Sequence, residues 1–146
     1  MNFGGLGMIM GHECTHGFDD EGRDYDGTGR LVDWWTAASS EQFNQRVQCV
    51  INQYSQYEVL PGVYVNGNLT QGENIADMGG IKNAYYAYKS YDPKGFFNPS
   101  IVPGLNNVQL FFVAYAQGWC EVATPQALEL QVKTDVHSPA RYRVIG

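Results

Sequence analysis

Apolar residues recur at helical spacing in five stretches of the chain, and polar residues, glycines and prolines separate these stretches. The spacing predicts helices from Leu6 to about Phe18, over residues 37–57, from Glu73 to Tyr88, from Val108 to Trp119 and over Thr124–Val132. Thr36 and Thr124 are suited to cap two of these helices, and Pro125 suits a first helical position. The pattern therefore predicts a mainly α-helical architecture with minor β structure.

The segments between the predicted helices are polar and carry turn-forming residues. Residues 19–30 are rich in Asp and Gly and predict a loop, and residues 90–104, with three prolines, predict a surface connection. Asn66-Gly67, between Val63-Tyr64-Val65 and Asn68-Leu69-Thr70, predicts a hairpin because Asn-Gly suits the positive φ angles of a type I′ turn. Residues 143–146 predict an incomplete strand. We find no repeat and no interdomain linker, so the chain is interpreted as one unit without a second domain.

The charge and cysteine content narrow the classes of partner. Nine Lys and Arg residues against 15 Asp and Glu give a formal net charge of −6 with no basic block, which argues against nucleic acid or an anionic membrane surface. No run approaches the roughly 20 apolar residues of a membrane span, and the first residues do not form a signal peptide. Cys14, Cys49 and Cys120 form no Cys-x-x-Cys pair, so neither a redox pair nor a zinc knuckle is expected. The sequon Asn68-Leu69-Thr70 would carry a glycan in a secreted protein.

The sequence His12-Glu13-Cys14-Thr15-His16 lies within the first predicted helix. Residues four apart share one helix face with about 6 Å between their Cβ atoms, so the two imidazole rings can bind one metal ion. Glu13 projects from the neighbouring side, where its carboxylate can reach a water molecule on the metal and act as a general base. Gly11 indicates that another element passes close to the histidines. The alternative is that His12 and His16 are solvated residues of a helix surface.

A third ligand has to come from elsewhere, because no histidine follows His16 closely. Glu73 and Asp77 are one helical turn apart in Gly72-Glu73-Asn74-Ile75-Ala76-Asp77 and project from the same face. Glu73 could complete a ligand set of two histidines and one carboxylate, which leaves the fourth coordination position of zinc open. Asp77, and Asp19 one turn beyond His16, could each accept the free ring N–H of a ligand histidine. Each of these acids could instead be a helix-end or loop carboxylate.

Four motifs occur in order along the chain. They are His12-Glu13-Cys14-Thr15-His16-Gly17-Phe18-Asp19-Asp20, Leu31-Val32-Asp33-Trp34-Trp35, Gly72-Glu73-Asn74-Ile75-Ala76-Asp77 and Thr134-Asp135-Val136-His137-Ser138-Pro139. Together they resemble the successive signatures of the neprilysin and endothelin-converting-enzyme family of zinc metallopeptidases. The resemblance covers essentially the whole chain and only the C-terminal part of a longer family ectodomain. It implies a thermolysin-like zincin catalytic core of the gluzincin type, of which residues 1–146 would be the C-terminal part.

The resemblance also implies a metal site and a proton carrier. It implies that one Zn²⁺ ion per chain is bound by His12, His16 and Glu73. Asp19 and Asp77 would accept the ring N–H groups of the two ligand histidines. Glu13 would take a proton from the attacking water, activated by zinc, and pass it to the leaving amine.

The end of the chain would supply the remaining groups of the site. By the same resemblance, protonated His137 would stabilise the oxyanion, and Arg143 would bind the backbone carbonyl or C-terminal carboxylate of the substrate. Arg141 is an extra arginine next to that position. Cys49 and Cys120 fall where the family has disulfide cysteines whose partners lie outside this segment.

The expected function is that of a zinc-dependent endopeptidase that hydrolyses small oligopeptides on the amino side of bulky apolar residues. The activity is expected of the longer parent protein, because the isolated segment lacks the family's upstream strand and cysteine partners and is expected to fold poorly and to be inactive. Two alternatives stay open, a zinc hydrolase with other substrates and an inactive segment. Peptides are the expected partners, and a membrane would be contacted only through a segment absent from this chain. The resemblance implies an extracellular location, as a secreted enzyme or as the ectodomain of a single-span membrane protein.

Overall fold

The computed structural model describes residues 1–92 and 100–146 of the chain. Its helical elements are a π-helical turn at Phe3–Gly7, α1 (Met8–Thr15), 3₁₀ turns at His16–Phe18 and Gly22–Asp24, α2 (Ala37–Tyr54), α3 (Gln71–Tyr91), α4 (Asn107–Gln117), α5 (Pro125–Thr134) and α6 (Ala140–Ile145). The strands within the described residues are β1 (Glu58–Leu60) and β2 (Val63–Tyr64), which pair antiparallel. The predicted mainly helical fold with minor β structure is thus confirmed. Residues 93–99 of the predicted surface connection lie outside the described part of the chain.

Side-chain caps fix the starts of two helices. Thr36 Oγ1 accepts a hydrogen bond from the backbone N–H of Ser39 at 3.1 Å, directly before α2. Thr124 Oγ1 accepts from the N–H of Ala127 at 3.2 Å, and Pro125 is the first residue of α5. Both caps satisfy a backbone donor that has no partner inside its helix, and both were predicted. No helix in the described ranges is long and apolar enough to cross a membrane.

Helices α1 and α3 cross so closely that glycine is required where they meet. A Cβ atom on Gly80 would lie 2.7 Å from the backbone nitrogen of His12 and 2.7 Å from the backbone oxygen of Met8. A Cβ atom on Gly11 would lie 2.9 Å from the backbone oxygen of Gly80. The prediction that another element passes close to Gly11 is therefore confirmed, and that element is α3. The contact brings His12 of α1, and His16 directly after it, to the first turns of α3.

Two groups of buried side chains hold the helices around this crossing. The first consists of Met8, Ala84, Phe111 and Tyr115, from α1, α3 and α4. The second consists of Tyr54, Val65 and Tyr142, and joins α2 to α6. Burial of each large apolar side chain contributes about 1.5–3 kcal/mol before entropy is counted. The second group anchors α6, so that its next residue, Arg143, reaches α3.

The hairpin is one place where the prediction is wrong. Its turn lies at Pro61-Gly62, where Gly62 has a φ of +74°, and not at Asn66-Gly67. The side chain of Asn66 instead accepts from the N–H of Leu69 at 3.1 Å, and its backbone oxygen accepts from the N–H of Thr70 at 3.0 Å. These bonds close a helical turn that leads into α3.

The end of the chain is the other correction. Residues 143–146 do not form an incomplete strand, because Ala140–Ile145 is helical. Pro139 has a φ of −54° and a ψ of 142°, and its backbone oxygen accepts from the N–H groups of Tyr142 at 2.8 Å and Arg143 at 3.3 Å. The N–H groups at the start of a helix have no partner within the helix, so proline, which has no N–H, is tolerated there. Pro139 directly precedes α6.

Candidate metal centre

His12 of α1 and His16, which directly follows α1, point their Nε2 atoms at each other. His12 Nε2 and His16 Nε2 are 3.0 Å apart, and the two rings are nearly perpendicular, at 87°. Their Nδ1 atoms are each held by a carboxylate, His12 by Asp77 at 2.8 Å and His16 by Asp19 at 2.7 Å. Since a carboxylate accepts hydrogen bonds, each Nδ1 carries a proton, and a neutral ring then has a lone pair on Nε2. Two facing lone pairs require a positive charge between them, either a shared proton or a metal ion.

Glu73 completes this arrangement from the first turn of α3. Its Oε2 lies 3.3 Å from His12 Nε2, and its Oε1 lies 3.6 Å from His16 Nε2. The three ligand atoms of His12, His16 and Glu73 all lie within 4.8 Å of one another. Two imidazole nitrogens and one carboxylate oxygen are a donor set that suits zinc and leaves a coordination position open. The residues present therefore fit a zinc ion.

Asp77 is a buried carboxylate, 2% exposed, that bridges His12 and Arg143. Its Oδ1 accepts from His12 Nδ1 at 2.8 Å and Arg143 Nη2 at 2.7 Å, and its Oδ2 accepts from Arg143 Nε at 2.6 Å. Burial opposes ionisation of Asp77, but the hydrogen bonds from His12 and Arg143 outweigh it and hold its pKa below the ordinary value. In return, the hydrogen bonds to Asp77 and then Glu73 raise the pKa of His12 to about 9.

Asp19 holds the second histidine in the same manner and is itself fixed. It is 7% exposed, and while Oδ2 contacts His16, its Oδ1 accepts from the backbone N–H groups of Glu21 at 2.9 Å and Gly22 at 2.7 Å. The 3₁₀ turn that follows thereby anchors the carboxylate. Both rings of the cluster are thus oriented by acids outside it, as is usual for histidines that bind metals.

Glu13 lies beside the cluster and not in it. Its side chain is exposed, and no hydrogen-bond or ion-pair partner for it lies within the described residues. Successive residues of a helix are rotated by about 100°, so the side chain leaves α1 on the flank of the histidine face. The carboxylate is free to accept a proton from a molecule held near the cluster.

His137 reaches the cluster from the segment between α5 and α6. Its Nε2 lies 3.2 Å from Glu73 Oε2, and its Nδ1 lies 2.7 Å from Asp135 Oδ1. The same Asp135 oxygen accepts from the backbone N–H of His137 at 2.8 Å. Asp135 was not predicted, although an acid two residues before the histidine was a usable signal. All three histidines of the chain are therefore each paired with an aspartate.

Arg143 is buried at the centre of the site, 8% exposed, where it pairs with Asp77. Its Nη2 also lies 3.5 Å from Glu73 Oε2, and its Cζ lies 3.9 Å from the ring centre of Trp119. Its Nη1 has no acceptor among the described residues, so two N–H groups remain for a ligand. Arg141 instead lies over the ring of Tyr142, 5.8 Å from its centre. Of the two arginines, only Arg143 reaches the cluster.

The cysteines and the sequon contribute no ligand atom to this cluster within the described residues. Cys14, Cys49 and Cys120 are exposed free thiols within the described chain. Asn68 is exposed, while Thr70 of the same sequon is 1% exposed. The predicted disulfides and glycan therefore stay predictions.

Comparison with known proteins shows the family of this chain. The family model described as Peptidase family M13 matches residues 1–146. Human endothelin-converting enzyme 1 is 50% identical over 147 residues, which are 100% of this chain and 19% of that protein. Neprilysin-1 of Caenorhabditis elegans is 51% identical over 148 residues, which are 99% of this chain and 20% of that protein. The crystal structure of zinc metalloprotease ZMP1 of Mycobacterium tuberculosis, in complex with an inhibitor, superposes with a TM-score of 0.90 at 39% identity, covering 98% of this chain and 22% of that one. The chain thus spans about a fifth of the length of these relatives. The resemblance found in the sequence is confirmed, and with it the zincin-like core: the chain belongs to peptidase family M13.

Proposed function

We propose that this protein is a zinc-dependent endopeptidase that binds one zinc ion per chain through His12, His16 and Glu73. The observation that carries the proposal is the pair of Nε2 atoms 3.0 Å apart, with both Nδ1 atoms held by aspartates and a carboxylate alongside. The names of relatives support it, since they include endothelin-converting enzyme, neprilysin and a zinc metalloprotease. Small oligopeptides, cleaved on the amino side of bulky apolar residues, are the proposed substrates.

The side chains of the site divide the chemistry among them. When bound, zinc supplies Lewis acidity, which polarises a carbonyl and lowers the pKa of water. Glu13, free on the flank of the histidine face, accepts the proton of the attacking water and returns it to the leaving amine. His137, whose Nδ1 is held by Asp135, donates from Nε2 to the oxyanion. Arg143 donates from Nη1 to a backbone carbonyl or a terminal carboxylate of the peptide.

Exchange of Glu13 for glutamine tests the proton carrier. Glu13→Gln keeps the shape of the side chain and removes its basicity, so the protein should still bind zinc and lose peptidase activity. Glu41→Gln, in the exposed part of α2, is the matched control and should leave both properties unchanged. Peptidase activity that survives in Glu13→Gln would refute the assignment. Zinc content by mass spectrometry separates a lost base from a lost metal.

Two rival functions are separated by substrate and metal measurements. A zinc hydrolase of other substrates would keep the three ligands but would not need His137 and Arg143 arranged for a peptide backbone. Hydrolysis of short peptides and of matched esters by the same preparation distinguishes the two. An inactive segment would show no cooperative melt and no stoichiometric zinc in the purified chain.

We also propose an extracellular location. The sequon supports it because Asn68 is exposed and can carry a glycan without displacing a packed side chain. Cys49 and Cys120 support it as well, since exposed thiols can form disulfides in an oxidising compartment.

A further inference from the structure

A series of hydrogen bonds between buried side chains joins α3 to the segment that carries His137. Ser138 Oγ donates to Asn74 Oδ1 at 2.8 Å, and Asn74 Nδ2 donates to Thr70 Oγ1 at 2.9 Å. Thr70 Oγ1 in turn donates to the backbone oxygen of Asn66 at 3.1 Å. Asn74 is 0% exposed, and Thr70 and Ser138 are each 1% exposed. Three polar side chains are therefore buried in a single connection between two elements.

The direction of every bond in this series is determined by its chemistry. A backbone carbonyl only accepts, so the hydroxyl of Thr70 donates to Asn66 and offers a lone pair to Asn74. The amide NH₂ of Asn74 must then face Thr70, and its carbonyl oxygen must face Ser138, whose hydroxyl donates. Each polar side-chain atom of this buried network has a partner, and a network with one allowed orientation holds the elements that it joins in one geometry.

The bond between Asn74 and Ser138 joins the two residues that directly follow a proposed zinc ligand and the proposed oxyanion donor. Asn74 directly follows Glu73, and Ser138 directly follows His137. Glu73 Oε2 and His137 Nε2 are 3.2 Å apart. Asp135 orients the imidazole of His137, but it belongs to the same segment and cannot set the position of that segment against α3. The bond between Asn74 and Ser138 is the buried side-chain contact closest in sequence to His137 that does so.

We propose that Asn74 and Ser138 are positioning residues that act through Glu73 and His137, by fixing the segment between α5 and α6 against the first turn of α3. The kinetic consequence of this inference rests on the proposed peptidase function, whereas its structural consequence rests on the geometry alone. The ion pair of Arg143 with Asp77 holds α6 further along, five residues beyond Ser138.

Nuclear magnetic resonance of the imidazoles tests the structural consequence. The chain has three histidines, so histidine-selective ¹⁵N labelling gives three ring spin systems. In Ser138→Ala, the ring signals of His137 should shift and broaden, while those of His12 and His16 stay in place. Ser90→Ala, in the exposed last turn of α3, is the matched control and should change none of them. Unchanged His137 signals in Ser138→Ala would overturn the proposal, whether or not the protein cleaves peptides.

Kinetics separate positioning from stabilisation. Ser138→Ala should lower kcat by about tenfold to a hundredfold with little change in KM, the effect of displacing a group in the transition state. Asn74→Leu combined with Ser138→Ala removes both partners of the bond, so it should restore much of the melting temperature that Ser138→Ala loses, but not kcat. Recovery of kcat together with stability would overturn the proposal. If the unsubstituted protein cleaved no peptide, the proposed function would fail, and the imidazole signals alone would decide the structural consequence.

Discussion

Replacing Asp77 with asparagine tests whether one buried carboxylate sets both the charge balance and the tautomer of the site. Asp77 accepts three hydrogen bonds, one from His12 and two from Arg143. Asparagine has the same shape but carries an NH₂ group in place of one oxygen, so one of these contacts must bring two donors together. If the NH₂ group replaces Oδ2, it faces the N–H of Arg143. If it replaces Oδ1, it faces both His12 and Arg143.

Both orientations lower stability, and one also blocks the metal. Removing one partner of a buried ion pair costs about 3–5 kcal/mol, and the nearby carboxylate of Glu73, 3.5 Å from Arg143, favours the lower end. For a chain of 146 residues this predicts a fall in melting temperature of about 10 °C. With the NH₂ group facing it, His12 must accept through Nδ1 and carry its proton on Nε2, the atom that faces His16. Zinc affinity should therefore fall by about 10-fold to 100-fold.

Two measurements check this prediction. Thermal unfolding of the metal-free protein, followed by circular dichroism, gives the loss of stability. Competition with a chromophoric chelator gives the zinc affinity. Asp33→Asn, at an exposed carboxylate, is the control and should change neither quantity. If Asp77→Asn had the same melting temperature as the unsubstituted protein and bound zinc equally tightly, the reasoning about Asp77 would be refuted.

Helix packing, proton competition and glycosylation each give a further expected outcome. Gly80→Ala should lower the melting temperature and the zinc affinity together, because the added Cβ would lie 2.7 Å from the backbone nitrogen of His12; the free energy of unfolding should fall by about 1–3 kcal/mol. Gly5→Ala, whose Cβ would have nothing within 4 Å, is the control and should change neither quantity. In the metal-free protein the pKa of His12 is raised from 6.5 to about 9, so its stabilisation is complete below pH 6.5 and is lost as the pH rises through 9. Zinc affinity, measured by calorimetry, should rise over the same range because the metal displaces that proton. Asn68→Gln should abolish the mass loss that peptide-N-glycosidase causes in the secreted protein, and a secreted protein without that glycan would contradict the sequon's use.

Regular spacing made much of the site predictable. Histidines four apart on a helix, and Glu73 four residues before Asp77, must share a face whatever surrounds them. The caps of α2 and α5 were predictable because they depend on neighbours within three residues. Asp135 was equally local but was overlooked, since a lone acid near a histidine is common.

The local sequence pattern did not predict where the hairpin turn lies or whether the last residues form a strand or a helix. Pro61-Gly62 and Asn66-Gly67 both suit turns, and pairing of Glu58–Leu60 with Val63–Tyr64 decided between them. Residues 143–146 carry β-branched residues, but Pro139 and the burial of Tyr142 against Tyr54 and Val65 made them helical. Such choices depend on the elements against which a segment pairs or packs, and not on the segment alone.

The sequence by itself determined which side chains could bind a metal, because residue type and helical spacing are local properties. Only the tertiary structure decided that they do meet. The backbone contact of α1 with Gly80 of α3 brings Glu73 to His12 and His16. The burial of Arg143 against Asp77, and the tautomers of the two histidines, likewise come from packing. Distances and protonation states depend on which elements touch, and that is a property of the whole fold.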